Sequence, residues 1–251
     1  MANVLDRYGI KEVADVTFFE LNEDESRGKP VLYLDTLKVS TIEQTAEEAT
    51  ANGGKGNAPL IVWDYGKEIT VTLEDALFSP KSLAIMFGDA DSVALEGTKV
   101  FKTVRPEAVK VADGKATAVI NGVTIAGTAK FYDKDGAETS ETATGDKKAV
   151  FAVIEVTTDT CMTIDVSANS FPGNYYVTGD TYARSEATGK DEFFQFIIPK
   201  AKVQSENTIT MEADGDPSVF NMSLKVLRPR DGVMMKLVKY TVGAPAAGAT
   251  E

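Results

Sequence analysis

Histidine is absent from this 251-residue sequence, and cysteine and tryptophan each occur once. Without histidine there is no Ser-His-Asp or Cys-His relay, no imidazole-ligated zinc and no imidazole pH switch. One cysteine closes no internal disulfide and builds no cysteine-rich metal site. Long apolar runs are missing too, and none approaches the roughly 20 residues of a membrane helix. The opening Met1-Ala2-Asn3-Val4-Leu5-Asp6-Arg7 has no basic region leading into an apolar one, so no secretory leader is expected. Positive charge is scarce: 26 Lys plus Arg stand against 38 Asp plus Glu, a net charge of −12 with a pI near 4.6. A grip on nucleic acid through phosphate neutralisation needs clustered Lys and Arg, so this balance opposes it. The lack of disulfides fits folding in a reducing cytoplasm.

What is present is a globular composition, 43% hydrophobic and 25% charged, which is too apolar for a disordered chain. The length suits one large all-β domain or two smaller ones. The pattern is mostly period two. Ile69, Val71 and Leu73 alternate with Thr70 and Thr72, and Phe220, Met222, Leu224 and Val226 alternate with Asn221, Ser223 and Lys225. Such alternation puts one strand face on a core and the other toward water or a partner. Strands are expected near 13–21, 31–42, 59–64, 67–74, 92–104, 107–112, 116–121, 123–132, 149–157, 160–167, 174–182, 192–200, 206–213, 219–228 and 233–241. Asn121-Gly122 is a strong type I′ hairpin signal. Asp231-Gly232 and the stretch Asp64-Tyr65-Gly66-Lys67 read as hairpin turns as well, and Asp113-Gly114 and Asp135-Gly136 as further turns.

One helix is signalled at about 79–88. Ser79 can cap it, Pro80 suits its first turn, Leu83, Ala84, Ile85, Met86 and Phe87 give it an apolar face, and Gly88 ends it. Thr45-Ala46-Glu47-Glu48-Ala49 has a helical tendency but runs into Asn52-Gly53-Gly54-Lys55-Gly56-Asn57. The segment 43–58 is therefore expected to be a long exposed loop, of the kind that is functional or mobile in compact domains. The segment 89–150 is richer in Ala, Gly, Thr, Asp and Lys and reads as an inserted strand-rich subdomain between 1–88 and 151–242. The end, 243–251, has nothing to bury and reads as a flexible tail.

No chemistry stands out. Gly53-Gly54-Lys55-Gly56 lacks the spacing of a phosphate loop. Asp133, Asp135 and Gly136 open like a calcium loop, but position 12 is Thr144 and not a bidentate Glu. Asp89 with Asp91 and Asp214 with Asp216 are short acid pairs that read as turns. Cys161 reads as a small buried hydrophobe in a strand. Trp63, Tyr65, Phe171, Tyr175, Tyr176, Tyr182, Phe193, Phe194 and Phe196 could form a sugar platform, though aromatics on alternating strands are more often core or interface. No catalytic, cofactor-binding or metal-binding residue is named, and a structural or binding role is favoured over catalysis.

Two stretches carry a resemblance. One runs from Ala51-Asn52-Gly53-Gly54-Lys55-Gly56-Asn57 through Trp63-Asp64-Tyr65-Gly66 to Leu83. The other runs from Tyr175-Tyr176-Val177 through Arg184, Thr188-Gly189-Lys190-Asp191-Glu192, Phe196-Ile197-Ile198-Pro199-Lys200-Ala201 and Gly215-Asp216-Pro217-Ser218 to Leu227-Arg228-Pro229. Together, over about half the chain, they resemble the tail tube (major tail) proteins of tailed bacteriophages. The resemblance implies a mainly β, sandwich or barrel-like fold flanked by a helix. It also implies stacked, hexameric rings forming a hollow tube, with a long loop or hairpin and the terminal arms touching the next ring. Genomic DNA would pass through without specific binding. The implied partners are copies of the chain and other phage tail proteins, with no membrane, no cofactor and no enzymatic activity. The implied location is the virion tail, after synthesis in the bacterial host cytoplasm. Inter-subunit contacts are expected at Glu47, Asn52, Gly53, Gly54, Lys55, Gly56, Asn57, Trp63 and Tyr65, with the 43–58 loop ordering only as the next ring arrives.

The acidic composition agrees, since a negative bore repels phosphates. Alternatives are a capsid-decorating or other virion β-protein, a carbohydrate- or receptor-binding β-module using exposed aromatics, and a hydrolase with an unmarked acid pair.

Overall fold

The computed structural model describes residues 6–88, 93–95, 97–159, 161–206, 209 and 219–240. The 243–251 tail, the strand expected at 206–213 apart from Glu206 and Ile209, and the pairs Asp89/Asp91 and Asp214/Asp216 lie outside the described residues. The protein is mainly β, and every strand pairing is antiparallel. The first strands are β1 (Tyr8–Ile10), β2 (Asp15–Leu21), β3 (Arg27–Leu34), β4 (Leu37–Gly53) and β5 (Ala58–Asp75), followed by the helix α1 (Pro80–Phe87). Next come β6 (Val93–Leu95), β7 (Lys99–Val104), β8 (Val109–Ala112), β9 (Lys115–Ile120), β10 (Val123–Tyr132), β11 (Glu138–Thr139), β12 (Phe151–Thr157) and β13 (Cys161–Thr163). The last are β14 (Asn174–Ser185), β15 (Asp191–Val203), β16 (Phe220–Val226) and β17 (Lys236–Tyr240).

The chain divides into two compact units, Met1–Ser92 with Ile164–Glu251, and Val93–Thr163. The first holds a nine-stranded sheet in the order β3-β2-β14-β15-β16-β5-β4, with β1 added to β14 and β17 to β15. Its two ends, β3 and β4, are consecutive in the chain, and Leu34 and Leu37 both enter one core with Phe18, Val71, Leu73, Val177, Ile198 and Leu224. A sheet whose opposite ends share a core is curled, and the backbone N–H of Ala14 donating to the Ser40 hydroxyl (3.3 Å) bridges the approach. The strand expected over 31–42 is thus two strands, broken at Asp35-Thr36. There the Thr36 hydroxyl donates to the buried Asp75 carboxylate (2.5 Å), pinning the corner.

Helix α1 packs Ile85 and Met86 onto this core. Its ends match the expectation: Ser79 and Ser82 bond each other's backbone N–H groups in a capping box, and Gly88 closes the helix at φ +82°. Asp231-Gly232 is not a hairpin turn. β17 pairs with β15 and not with its predecessor β16, because β15 uses its first half for β17 and its last residues for β16.

The second unit orders β7-β12-β10-β9-β8, with β11 on β10, beside the pair β13-β6. Its core is Val109, Ala116, Ala118, Phe131, Ala149, Ala152 and Ile154. β12 pairs with β10 and β7, so residues beyond 150 belong to this unit and not, as composition suggested, to the flanking one. Asn121-Gly122 and Asp113-Gly114 have positive φ at both centres, as type I′ turns require. The strand expected at 107–112 begins later, because Glu107 and Ala108 belong to a single 3₁₀ turn, Pro106–Ala108, ahead of β8. Cys161 lies on a strand, but only partly buried.

Candidate functional site

β5 pairs with β4 along nearly its whole length, but with β16 only over Thr70–Asp75. Toward the turn the hairpin therefore loses its third strand and continues as a two-stranded ribbon. The twelve residues of β5 from Ala58 to Ile69 span roughly 40 Å at about 3.4 Å per residue. Almost every side chain of this arm is exposed. Residues 43–58 are thus not a loop. The glycines confine the irregular part to four residues, 54–57, where Gly54, Gly56 and Asn57 adopt φ of +77°, +89° and +51°. The helical tendency of Thr45–Ala49 is overridden by pairing with β5, where Ala49 lies opposite Trp63, Glu47 opposite Tyr65 and Thr45 opposite Glu68.

Asp64-Tyr65-Gly66-Lys67 is not a turn either. β5 runs straight through it, and the pairing shifts from Thr45 opposite Glu68 to Glu47 opposite Tyr65. The extra residue is absorbed as a bulge at Gly66, whose φ of +63° suits glycine.

All nine residues expected at contacts come together on this arm. Asn52 and Gly53 end β4, Gly54–Asn57 turn the chain, and Trp63 and Tyr65 project from β5 on the same face as Ile61, opposite Ala49, Ala51 and Glu47. Leu60 and Val62 occupy the other face. Sequence reasoning missed Leu60, Ile61 and Val62. Their signal was an apolar run beside a glycine-rich turn, which reads equally well as core. Leu60, Ile61, Val62, Trp63 and Tyr65 are each between 51% and 66% exposed. Covering the exposed half of five such side chains is worth about 5 kcal/mol. An isolated two-stranded ribbon is marginal in water, so an arm of this kind gains order and free energy from a partner. Its charges are Glu43, Glu47, Glu48, Asp64 and Glu68 against Lys55 and Lys67.

A second exposed feature crosses β14, β15 and β17. Tyr182, Phe193 and Tyr240 stand opposite one another, with ring centroids 5.4 and 5.3 Å apart. Beside them a hollow of about 190 Å³ lies over Gly9, edged by Lys11, Glu12, Tyr182, Arg184 and Asp191. Arg184 donates to both Asp191 oxygens (2.6 and 2.7 Å), and this pairing holds the Asp191 carboxyl below its ordinary range. On the other side, Lys239 donates to Glu192 (2.5 Å) and to the Tyr8 hydroxyl (2.9 Å), which pushes its own pKa up.

The acid pairs serve backbone structure where they are described. The buried Asp133 carboxylate accepts N–H bonds from Ala137 and Asp135 and a bond from Lys147. These bonds, chiefly the one from Ala137, lower its pKa and set the turn into β11. Among the described residues, no three or more Cys, Asp or Glu side chains gather as metal ligands would, and no helix is long and apolar enough to cross a membrane.

A protein-family profile described as the YomU/Tube protein family matches residues 8–239, spanning both units and the arm. The chain belongs to the YomU/Tube family. This is a phage-associated tube protein family, so the chain is a phage tube structural protein and a component of the virion tail. Membership accounts for the exposed apolar arm of the tube protein, since a subunit built to assemble with copies of itself and with other tail proteins must carry uncovered surface. A search of curated proteins returned no match.

Proposed function

We propose that this tube protein polymerises as stacked, hexameric rings into a hollow tail tube that conducts genomic DNA through an acidic bore, without catalysis. The observation that carries the reading is the family match over 8–239 together with an arm that leaves Leu60, Ile61, Val62, Trp63 and Tyr65 half exposed. The arm reaches a neighbouring ring and buries those side chains there. The site residues of this contact are Glu47, Asn52, Gly53, Gly54, Lys55, Gly56, Asn57, Trp63 and Tyr65. Six copies at −12 each carry roughly −72 per ring, a field that keeps a polyanion off the wall at ranges not screened by salt, within about 10 Å.

Electron microscopy of the purified protein tests this directly. Stacked rings or tubes are the expected outcome, and a monomer that only decorates capsid shells overturns it. Hydrogen exchange sharpens the test. Amides of the arm, 43–68, exchange faster in soluble protein than in tubes, whereas those of Ile69–Asp75 are protected in both. Equal protection of the arm in the two states counts against its role.

A further inference from the structure

The sheet of the second unit has two unlike faces. From β10 and β12, Phe131, Ala152 and Ile154 turn inward to the unit's core. The alternate residues turn outward, where a sheet face that meets water is ordinarily polar. Here that face is mixed. Tyr132 of β10 stands opposite Phe151 of β12, and their rings stack with centroids 5.2 Å apart and planes 18° from parallel. Along the same two strands Lys130 stands opposite Val153, and Thr128 opposite Glu155. Glu155 in turn faces Phe101 of β7, which is 67% exposed. A shallow hollow of about 80 Å³ lies among Phe101, Thr128, Lys130, Tyr132, Val153 and Glu155. The charges around it cancel, although the chain as a whole stands at −12. Lys99 pairs with Glu155 (2.5 Å) and Lys130 with Glu138 (3.0 Å). An ammonium has three donors and a carboxylate about four acceptor sites, so each pair keeps bonding directions free.

We infer that this face binds a neutral oligosaccharide, a chain of pyranoses with equatorial hydroxyls, laid across the hollow. Both flat sides of such a sugar ring are C–H surface, and its rim carries hydroxyls that donate and accept. Phe101 and Tyr132 supply apolar ring surface at either end of the hollow, with Val153 between them. Lys130, Glu155 and Thr128 supply donors and acceptors for the rim. The balance of two ammonium groups against two carboxylates favours an uncharged ligand over a polyanion. A protein partner fits less well, because it would desolvate two ion pairs already satisfied within the subunit. Sugar hydroxyls instead take up the bonding directions that those pairs leave open. Every group involved belongs to one unit of one chain, so the inference goes beyond the tube reading and stands apart from it.

Titration of the full soluble chain with cellohexaose and with chitohexaose, followed by nuclear magnetic resonance of the labelled protein, tests this. Saturable shifts are expected at Phe101, Lys130, Tyr132 and Val153 with at least one of the two sugars, and none with the polyanion polygalacturonate. Phe101→Ala weakens binding by about tenfold. It leaves the melting temperature unchanged, because the ring it removes is largely exposed. Trp63→Ala, which removes the exposed indole of the arm, leaves the affinity unchanged. Failure of both sugars to bind the parent overturns the inference. So does binding that survives Phe101→Ala combined with Tyr132→Ala, or binding lost in Trp63→Ala, which would assign the sugar to the arm. If neither sugar binds and Phe101→Asp blocks tube formation, the face is a protein contact and the inference falls. A chain that binds sugar at this face yet forms no tube overturns the tube reading alone.

Discussion

β4 and β5 are one hairpin with two characters. At its root Ile69, Val71 and Leu73 are buried, with β16 on the far side of β5 and α1 against the same core. In the arm Ile61, Val62 and Trp63 are half exposed, with no third strand and no helix against them among the described residues. Apolar residues on a strand are thus a packed wall where a third strand and a helix cover them, and an adhesive ribbon where they do not. The root stabilises the subunit, while the arm leaves its apolar surface bare, the surface that the proposed contact between rings covers.

The sharpest way to break this contrast is truncation on both sides of it. Leu73→Ala removes a side chain 1% exposed and lowers the unfolding free energy by about 3 kcal/mol in urea titration. Trp63→Ala, although it removes a larger side chain, shifts it by less than about 1 kcal/mol. Comparable losses would mean that the arm folds against its own subunit. Next in size, Trp63→Asp raises the protein concentration needed for tube formation by about tenfold or more without changing the melting temperature of the soluble chain, as measured by light scattering beside circular dichroism. Gly66→Ala forces an L side chain into φ +63° and costs about 1 kcal/mol. The loss is confined to the arm, so exchange accelerates at 45–48 and 62–67 and stays unchanged at 69–75. The smallest effect concerns the exposed Arg184–Asp191 pair. Its carboxyl is held below the ordinary value, so its contribution is complete above about pH 4 and fades as the pH falls further. The difference in melting temperature between the parent and Asp191→Asn is therefore small at pH 7 and shrinks further as the pH falls below about 4.

Local chemistry made much of the fold legible. α1 was written in Ser79, Pro80 and Gly88, and two hairpins in Asp113-Gly114 and Asn121-Gly122, because caps and turns act within four residues. The root strands were readable because alternating burial requires alternating sequence. The errors share one cause. The glycines at 53–56 were read as freedom over sixteen residues when only the tip used it, and Gly66 as a turn when it relieves a bulge. Whether a glycine reverses a chain or bends it depends on the strand opposite, which no neighbouring residue reports. The break at Asp35-Thr36 and the choice of β15 as partner for β17 were hidden for the same reason. The site itself was half visible: its residues were named, but as a loop and without Leu60, Ile61 and Val62.

By composition alone the chain was bound to be acidic and without imidazole or internal disulfide chemistry, since those follow from which side chains exist, and the alternating order of its residues made it strand-rich. Tertiary structure decided which apolar residues are buried and which are left bare. Burial depends on what a strand meets across space, and Val71 and Val62, alike in type and on the same strand, differ only in that.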